Sequence, residues 1–451
     1  MIHSNEGGEK SEAFNKEQIV DYRGEVIEEV EQHPSIAVSD DVEQNKEASK
    51  QLRDIEIEEW METLEEAADN LQEKRENTDL VENIARSTGN PVSSVDNSVQ
   101  AIEDALRDMD QIMDAQLPGE GLEVLDDPVQ DNYALVPKGE NLGIIAPSNH
   151  PSVMALPTTA LGTQTPLTIR PAQDDVFTSQ ALVESIYEAG APEDSIYLLP
   201  GNRDVSEKVI EHSDQTIAFG GEKLEQSYGR KEGVHVFGPG ESTIYIDEEF
   251  IDSEEVYDVV EEAMMRDGGR GCINASQVLT NGDSSKVAQR IAERASNYEV
   301  KDVLDPKAEI PAFKVTESAE QINHFLSSRT SPEQVNNSGD ERIVEHKGGT
   351  YLRPTVVELD SYDSELATEL PFQYMTVAEI EEEEFRDAIS ESLSLALFTE
   401  DKDLREQALY HPEVEKVYTD GAATCEFRLT EPHEGYITDT LMKKKAYRGQ
   451  S

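Results

Sequence analysis

The chain has 451 residues, 36% of them hydrophobic, which is enough for two or three domains with packed cores and excludes a disordered chain. Its 96 acidic residues outnumber 38 basic ones for a formal charge of −58, so no nucleic acid and no anionic membrane is expected as a partner, because both need basic surface. With two cysteines, no apolar leader and no run of eighteen apolar residues, the chain reads as a reduced cytoplasmic protein without a disulfide framework or membrane span.

The acidic residues are spread through every segment, and lysine is scarce among them. That pattern is expected of a protein solvated by carboxylates in a salty cytoplasm, where salt screens the self-repulsion of so large a charge. The one basic cluster, KKKAYR (Lys443 to Arg448), reads as a solvated tail at a helix C-terminus.

Residues 1–50 are polar and acidic and are expected to be partly disordered. Ile57, Trp60, Met61, Leu64, Ala68 and Leu71 recur at three- and four-residue spacings, which predicts a helix with one apolar face. Val99, Ile102, Leu106 and Met109 predict a second helix, separated from the first by the Gly/Pro turn STGNPVSS. The rhythm then changes. NLGIIAP, PLTIRP, SIYLLPG and TIAFGG read as buried strands, and helical stretches follow each of them. The first of these, VMALPTTALG, needs a bend or an early turn at Pro157. Such alternation predicts an α/β fold whose parallel sheet is covered by helices and binds ligands beyond the carboxyl ends of its strands.

GPGEST, Gly238 to Thr243, half matches a dinucleotide-binding glycine pattern. A strand, not a helix, follows it, so a tight strand–turn–strand with its backbone close to another segment is expected. STIYID then begins a second run of strands and helices that extends to about residue 415, and KVYTDGAATCEFRL is strand-like again. The organisation expected is an N-terminal segment over 1–50, helices plus a nucleotide-binding domain over 51–240, and a catalytic domain over 241–415. The last segment, 416–451, is expected to return to the cofactor domain or to an oligomer interface.

The nine histidines include no i, i+4 pair, and no Cys-x-x-Cys exists, so no metal site is expected. Cys272 lies behind Gly268, Gly269 and Gly271 in RDGGRGCINASQ. Bare backbone lets a substrate approach a thiol, Arg266 and Arg270 are nearby cations, and the Cys272 N–H can face a developing oxyanion. The competing interpretation of these residues is a buried small hydrophobe, the usual fate of cysteine and the one expected for Cys425.

Six segments in order then resemble the aldehyde dehydrogenase superfamily. GIIAPSNHP resembles its strand ending Pro-Trp-Asn, and LTIRPAQD its strand ending Lys-Pro-Ser-Glu. EAGAPEDSIYLLPG, IAFGGEKLEQ, GGRGCINASQVL and GGTYLRPTVV, with LALFTED beyond them, resemble further family segments. The resemblance implies a parallel-sheet, Rossmann-type cofactor domain and a second α/β catalytic domain. It places Cys272 at the nucleophile and Asn149 at the oxyanion-hole asparagine. It puts Pro147, Ser148, Arg170, Pro171, Gln173, Gly201, Phe219, Gly220, Gly221, Gly238 and Glu369 at the cofactor, NAD or NADP. The family is usually a homo-oligomer, a dimer or tetramer.

The departures carry information too. Val236 stands where the family has its general-base glutamate, and Ser148 where it has tryptophan. FGPGESTIYID resembles the CoA-acylating branch instead. EPHEGYITDTLMKKK replaces the family's late Gly-Gly-x-x-x-Ser-Gly loop. A thioester on Cys272 needs an activated acceptor. Water requires a base and a thiol requires less help, so release to CoA, or reduction of an acyl-CoA, is favoured over hydrolysis. Glu241 or Asp267 would supply a base in the hydrolytic alternative, and a catalytically weak scaffold is the remaining one. A neutral Gln173 beside Arg170 is expected to tolerate or prefer NADP, the alternative being that Arg170 merely pairs with Asp174 or Asp175.

Overall fold

The apolar runs at residues 142–145, 167–170 and 196–198 become neighbouring strands because each is buried on both faces. The computed structural model describes residues 2–11, 15–119, 121–130, 132–147, 149–238, 240–331, 334–337 and 341–448. The first sheet runs Val234–Phe237, Gln215–Phe219, Leu142–Ile145, Leu167–Arg170, Ile196–Leu198, all parallel, and then adds Ser4–Glu6 and Glu9–Ser11 antiparallel at its edge. On one face lie the helices Ile57–Asn77, Val92–Arg107 and Val176–Glu188. Trp60 fixes the first of them, its indole N–H donating to the Leu161 carbonyl at 2.6 Å within the core. The helices Val38–Arg53 and Arg203–His212 cover the other face, with Val38, Val42, Val205 and Val209 packed together.

The N-terminal region therefore departs from its expected looseness. Residues 4–6 and 9–11 extend the first sheet, Lys16–Val20 pairs with Val26–Glu31, and Val38 opens a helix of 16 residues. Its anchors, Ile19, Val30, Val38 and Val42, are few and separated by carboxylates, so the apolar pattern is diluted although each is buried. Leu80–Thr88 is a further short helix, and Met109, expected in the second predicted helix, instead opens a separate one, Met109–Gln116, after Val92–Arg107 ends. The expected bend at Pro157 is realised as a single α-turn, Ala155–Thr158, between two 3-10 turns.

The chain leaves the first sheet at Phe237 and enters the second at Ser242. That second sheet orders Val335–Asn337, Thr355–Leu359, Tyr374–Glu379, Ala275–Thr280, Ser242–Ile246, Ser394–Phe398 and Lys416–Tyr418, parallel except for its first strand. Helices Glu254–Met265 and Ser284–Ala295 pack on one face, and Thr316–Arg329 with Lys402–Leu409 on the other. After Tyr418 the strand-like sequence forms loop, within which Cys425 is buried in the core beside Met264 and Met265. Met442–Ala446 then pairs antiparallel with Tyr133–Pro137. The Lys443–Lys445 cluster is an exposed strand, not a helix tail. Among the described residues no helix is long and apolar enough to cross a membrane.

Candidate active site

The carboxyl ends of the first sheet face the amino ends of the second. Cys272 precedes the strand Ala275–Thr280, Glu241 precedes Ser242–Ile246, Leu393 precedes Ser394–Phe398, and Lys416 opens Lys416–Tyr418. A cavity of about 380 Å³ lies between the two layers. Pro147, Asn149, Phe219, Gly220, Gly221, Gly238, Cys272 and Glu369 all line it, so it gathers eight residues singled out from sequence. Val153, Phe237, Glu241, Thr368, Leu393, His433 and Glu434 complete the wall. Ser148 lies outside the described residues.

The glycine-rich loop serves its own packing more than substrate approach. Asp267, Gly268 and Gly269 have φ of 53°, 68° and 70°, three consecutive left-handed residues. A Cβ on Gly269 would stand 2.7 Å from the Gln373 nitrogen, and one on Gly268 would stand 2.9 Å from Pro311. Asn274 closes the turn, accepting from the Gly271 N–H at 2.8 Å and donating to the Ala263 and Arg266 carbonyls. The expected closeness of the GPGEST backbone to another segment is met at Cys272 itself. A Cβ on Gly240 would fall 1.6 Å from the Cys272 carbonyl oxygen, and the Ser242 hydroxyl donates to that oxygen at 3.2 Å.

The two arginines expected to activate the thiol face away from it. Arg270 donates to the carbonyls of Thr88, Ala312 and Pro371 and to Asn90 Oδ1, and lies over the Phe313 ring. With no carboxylate among these partners, burial lowers its pKa to about 10. Arg266 bonds the Cys425 carbonyl and Glu262. The cation whose field reaches Cys272 is Lys416, missed in the sequence because it sits in an ordinary edge strand. Burial, with the charges of Glu369 and Glu434, pushes the Cys272 thiol up to about 12 against the opposing pull of Lys416. Lys416 is itself buried over the Phe427 ring, and burial lowers it to about 8.

Asn149 donates from Nδ2 to the Arg270 carbonyl at 2.9 Å, which holds its amide beside the Cys272 loop. That nitrogen carries a second hydrogen, and the residue lines the cavity. Glu369 accepts from the Gly240 N–H at 3.0 Å, and burial raises its pKa. Burial and the Glu415 charge raise Glu434 to about 7. Asp267 is turned to Ser94, at 3.1 Å, and His150, at 3.5 Å, and does not line the cavity. Val236 pairs with Ala218 on the edge strand of the sheet and contributes nothing to the wall.

Arg170, Pro171, Gln173 and Gly201 lie outside the cavity wall, at the carboxyl ends of the adjacent strands. Arg170 donates twice to the Gly201 carbonyl, at 3.1 and 2.7 Å, and neither Asp174 nor Asp175 pairs with it. Asp174 pairs with Lys314, and Asp175 caps the helix Val176–Glu188 through Thr178. Gln173 donates to Glu17, a carboxylate delivered by the N-terminal hairpin. One group of metal-type ligands comes together among the described residues, Glu6, His33 and Asp41, remote from the cavity.

Two largely parallel sheets meeting end to end around a thiol and a carboxamide define an α/β protein with a cavity at the junction. The aldehyde dehydrogenase family profile matches residues 9–424, and the chain belongs to that family. Among curated relatives it is 21% identical over 264 residues to malonate-semialdehyde dehydrogenase 1 of Geobacillus kaustophilus, covering 56% of this chain and 54% of that one. It is 24% identical over 301 residues to a probable acylating methylmalonate-semialdehyde/malonate-semialdehyde dehydrogenase of Caenorhabditis elegans, covering 63% and 56%. The chain thus spans about half the length of the curated relatives it matches. In three dimensions it is similar to an aldehyde dehydrogenase from Pseudomonas aeruginosa, with a TM-score of 0.82, 18% identity and 99% and 96% of the two chains covered. An NAD-dependent aldehyde dehydrogenase from Sinorhizobium meliloti gives a TM-score of 0.83 at 16% identity, covering 99% and 94%.

Proposed function

We propose that the protein oxidises a small-molecule aldehyde with NAD or NADP through a thioester on Cys272, and passes the acyl group to CoA. The observation that carries this reading is the convergence of Cys272, the Asn149 amide and the bare ledge of Gly220, Gly221 and Gly238 on one cavity. The ledge suits a dinucleotide. It lies at the carboxyl ends of parallel strands, and nothing stands within 4 Å of a Cβ position on Gly221. Pro147, Phe219 and these glycines would hold the cofactor, which when bound supplies the hydride acceptor.

The chain's own residues do the rest. Sγ of Cys272 adds to the aldehyde carbon, and the carbonyl π electrons move to oxygen. The free N–H of Asn149 stabilises that oxyanion where charge develops. Collapse restores the carbonyl as a thioester and expels hydride. Val236 offers no base to water in the second half, whereas the thiol of CoA ionises readily. The acylating label of one relative supports the same choice.

A second reading, hydrolysis to the carboxylic acid, is favoured by Glu434 and Glu241 on the cavity wall, the former near the pKa of a base at neutral pH. Product analysis decides between them. The purified protein is given an aldehyde panel and NAD or NADP, with and without CoA. Acyl-CoA formed in step with reduced cofactor supports the proposal. Carboxylic acid formed at full rate without CoA overturns the acylating half.

A further inference from the structure

We infer that His433 is the proton acceptor for the Cys272 thiol, so that the segment EPHEGY, which departs most from the family resemblance, supplies acid–base chemistry to the nucleophile. The inference rests on the reading of Cys272 as nucleophile and adds to it a partner.

Geometry carries it. His433 Nε2 lies 3.9 Å from Cys272 Sγ, within the reach of a sulfur hydrogen bond, and both line the same cavity. His433 is buried, 7% exposed, and its ring's rotation is limited by Phe237 and Phe427, whose rings meet it edge-on at 5.7 and 5.2 Å. The backbone is anchored by the His433 N–H donating to the Gly435 carbonyl at 3.1 Å. Nδ1 is buried and finds no partner among the described residues. With Nε2 accepting from the thiol, the neutral ring carries its own hydrogen on Nδ1.

The electrostatics agree. Burial, Lys416 and His235 push the His433 pKa well below its ordinary value, so the resting ring is neutral, and it gains a proton only as negative charge develops on the sulfur beside it. The same surroundings hold the thiol protonated, so a free thiolate is scarce near neutrality and a base in contact is needed. The charged and titratable groups facing the pair are Lys416, His235, Glu369 and Glu434.

The proton account closes. As the S–C bond forms, the thiol proton passes to Nε2. Hydride leaves with its electron pair to the nicotinamide, and the imidazolium then returns its proton to solvent. In the second half neutral His433 takes the proton of the attacking thiol, the acyl–Sγ bond breaks, and Sγ recovers that proton from His433. Aldehyde, thiol and oxidised cofactor thus give thioester, reduced cofactor and one proton.

Iodoacetamide labelling, read at Cys272 by mass spectrometry from pH 6 to 9, tests the pair without turnover. A paired thiol in the wild type labels at a nearly constant rate over this range. His433→Gln is expected to slow labelling at pH 7 at least tenfold and to make the rate climb about tenfold per pH unit. An unchanged rate and profile in folded His433→Gln overturns the inference. Should that variant fail to fold, the wild type decides alone: a flat profile supports the pair, and a tenfold rise per pH unit overturns it. Aldehyde-dependent turnover in a wild type whose labelling ignores His433 sinks the pair and spares the proposed function. A His433-dependent profile without any aldehyde turnover does the reverse.

Discussion

The carbonyl oxygen of Cys272 occupies the space beside Gly240 where any other residue would carry its side chain, 1.6 Å from an ideal Cβ. Gly240 also donates its N–H to Glu369, so one residue joins the crossover between the sheets, the nucleophile loop and a cavity carboxylate. Gly240→Ala must therefore push the loop and the crossover apart. The expected cost is about 3 kcal/mol or more, with aldehyde turnover down at least a hundredfold. Urea denaturation and steady-state rates check both, and a variant within 1 kcal/mol of wild type (an order-of-magnitude threshold) would show that the close approach is not obligatory.

Arg270 locks the same loop from the other side. Its guanidinium bonds carbonyls from three segments that are distant in sequence, at Thr88, Ala312 and Pro371. Lysine is a point charge and cannot reproduce that fork. Arg270→Lys leaves buried carbonyls unpaired and should lower stability by about 3 kcal/mol. Because the Arg270 carbonyl also holds Asn149, the loss in kcat should exceed that expected from partial unfolding alone. Full kcat at a temperature where the variant is fully folded would argue against this coupling.

The partnership of Gln173 with Glu17 argues for the opposite cofactor preference. A neutral Gln173 beside Arg170 favours NADP, but Arg170 is spent on the Gly201 carbonyl and Glu17 returns a carboxylate to the site. A carboxylate there repels a 2′-phosphate. Paired kinetics should give a higher kcat/KM with NAD than with NADP. Glu17→Gln should narrow the ratio at least fivefold, chiefly through the KM for NADP. A wild-type preference for NADP would leave Glu17 without this role.

How far the site was legible follows from where each residue comes from. Cys272 and Asn149 sit in short motifs between strands, and glycine there is demanded by left-handed backbone and close approach, which sequence displays. The two parallel sheets were legible because their strands are buried on both faces and read as short, mostly apolar runs. Glu17, Lys416, His433 and Glu434 were not. They lie on short edge or hairpin strands and loops without periodicity, outside the segments that carry the family resemblance. Their roles arise from tertiary burial and proximity, which no spacing rule encodes. Arg266 and Arg270 fail in the opposite sense, being near Cys272 in sequence and turned away from it in space.

The net charge of −58 predicts a marked response to salt. Many ion pairs join the basic residues to carboxylates, yet acidic residues outnumber basic ones by 96 to 38. Screening of their mutual repulsion should raise the Tm by about 10 °C or more between roughly 0.1 and 2 M KCl. A Tm that is flat or falls across that range would remove the salt-adapted interpretation of the composition.

Glu434 gives a pH dependence whose sign is fixed by its burial. Its pKa is raised from 4.5 to about 7, so between these values the folded chain holds a proton that the unfolded chain has lost. Stability therefore falls as pH rises through that window, by linkage. Lys416 acts in a separate window. Lowered from 10.5 to about 8, it makes the unfolded chain the better proton binder there, so stability rises with pH from about 8 to 10.5. Glu434→Gln should flatten the first slope and leave the sign of the second. The comparison is the wild-type minus variant difference in urea midpoint, taken every half unit from pH 5 to 9 at fixed high salt, which cancels the background of the other carboxylates. A difference that does not change between pH 5 and 7 would mean that Glu434 is ionised throughout. It would then lack the raised pKa that matches a general base to neutral pH.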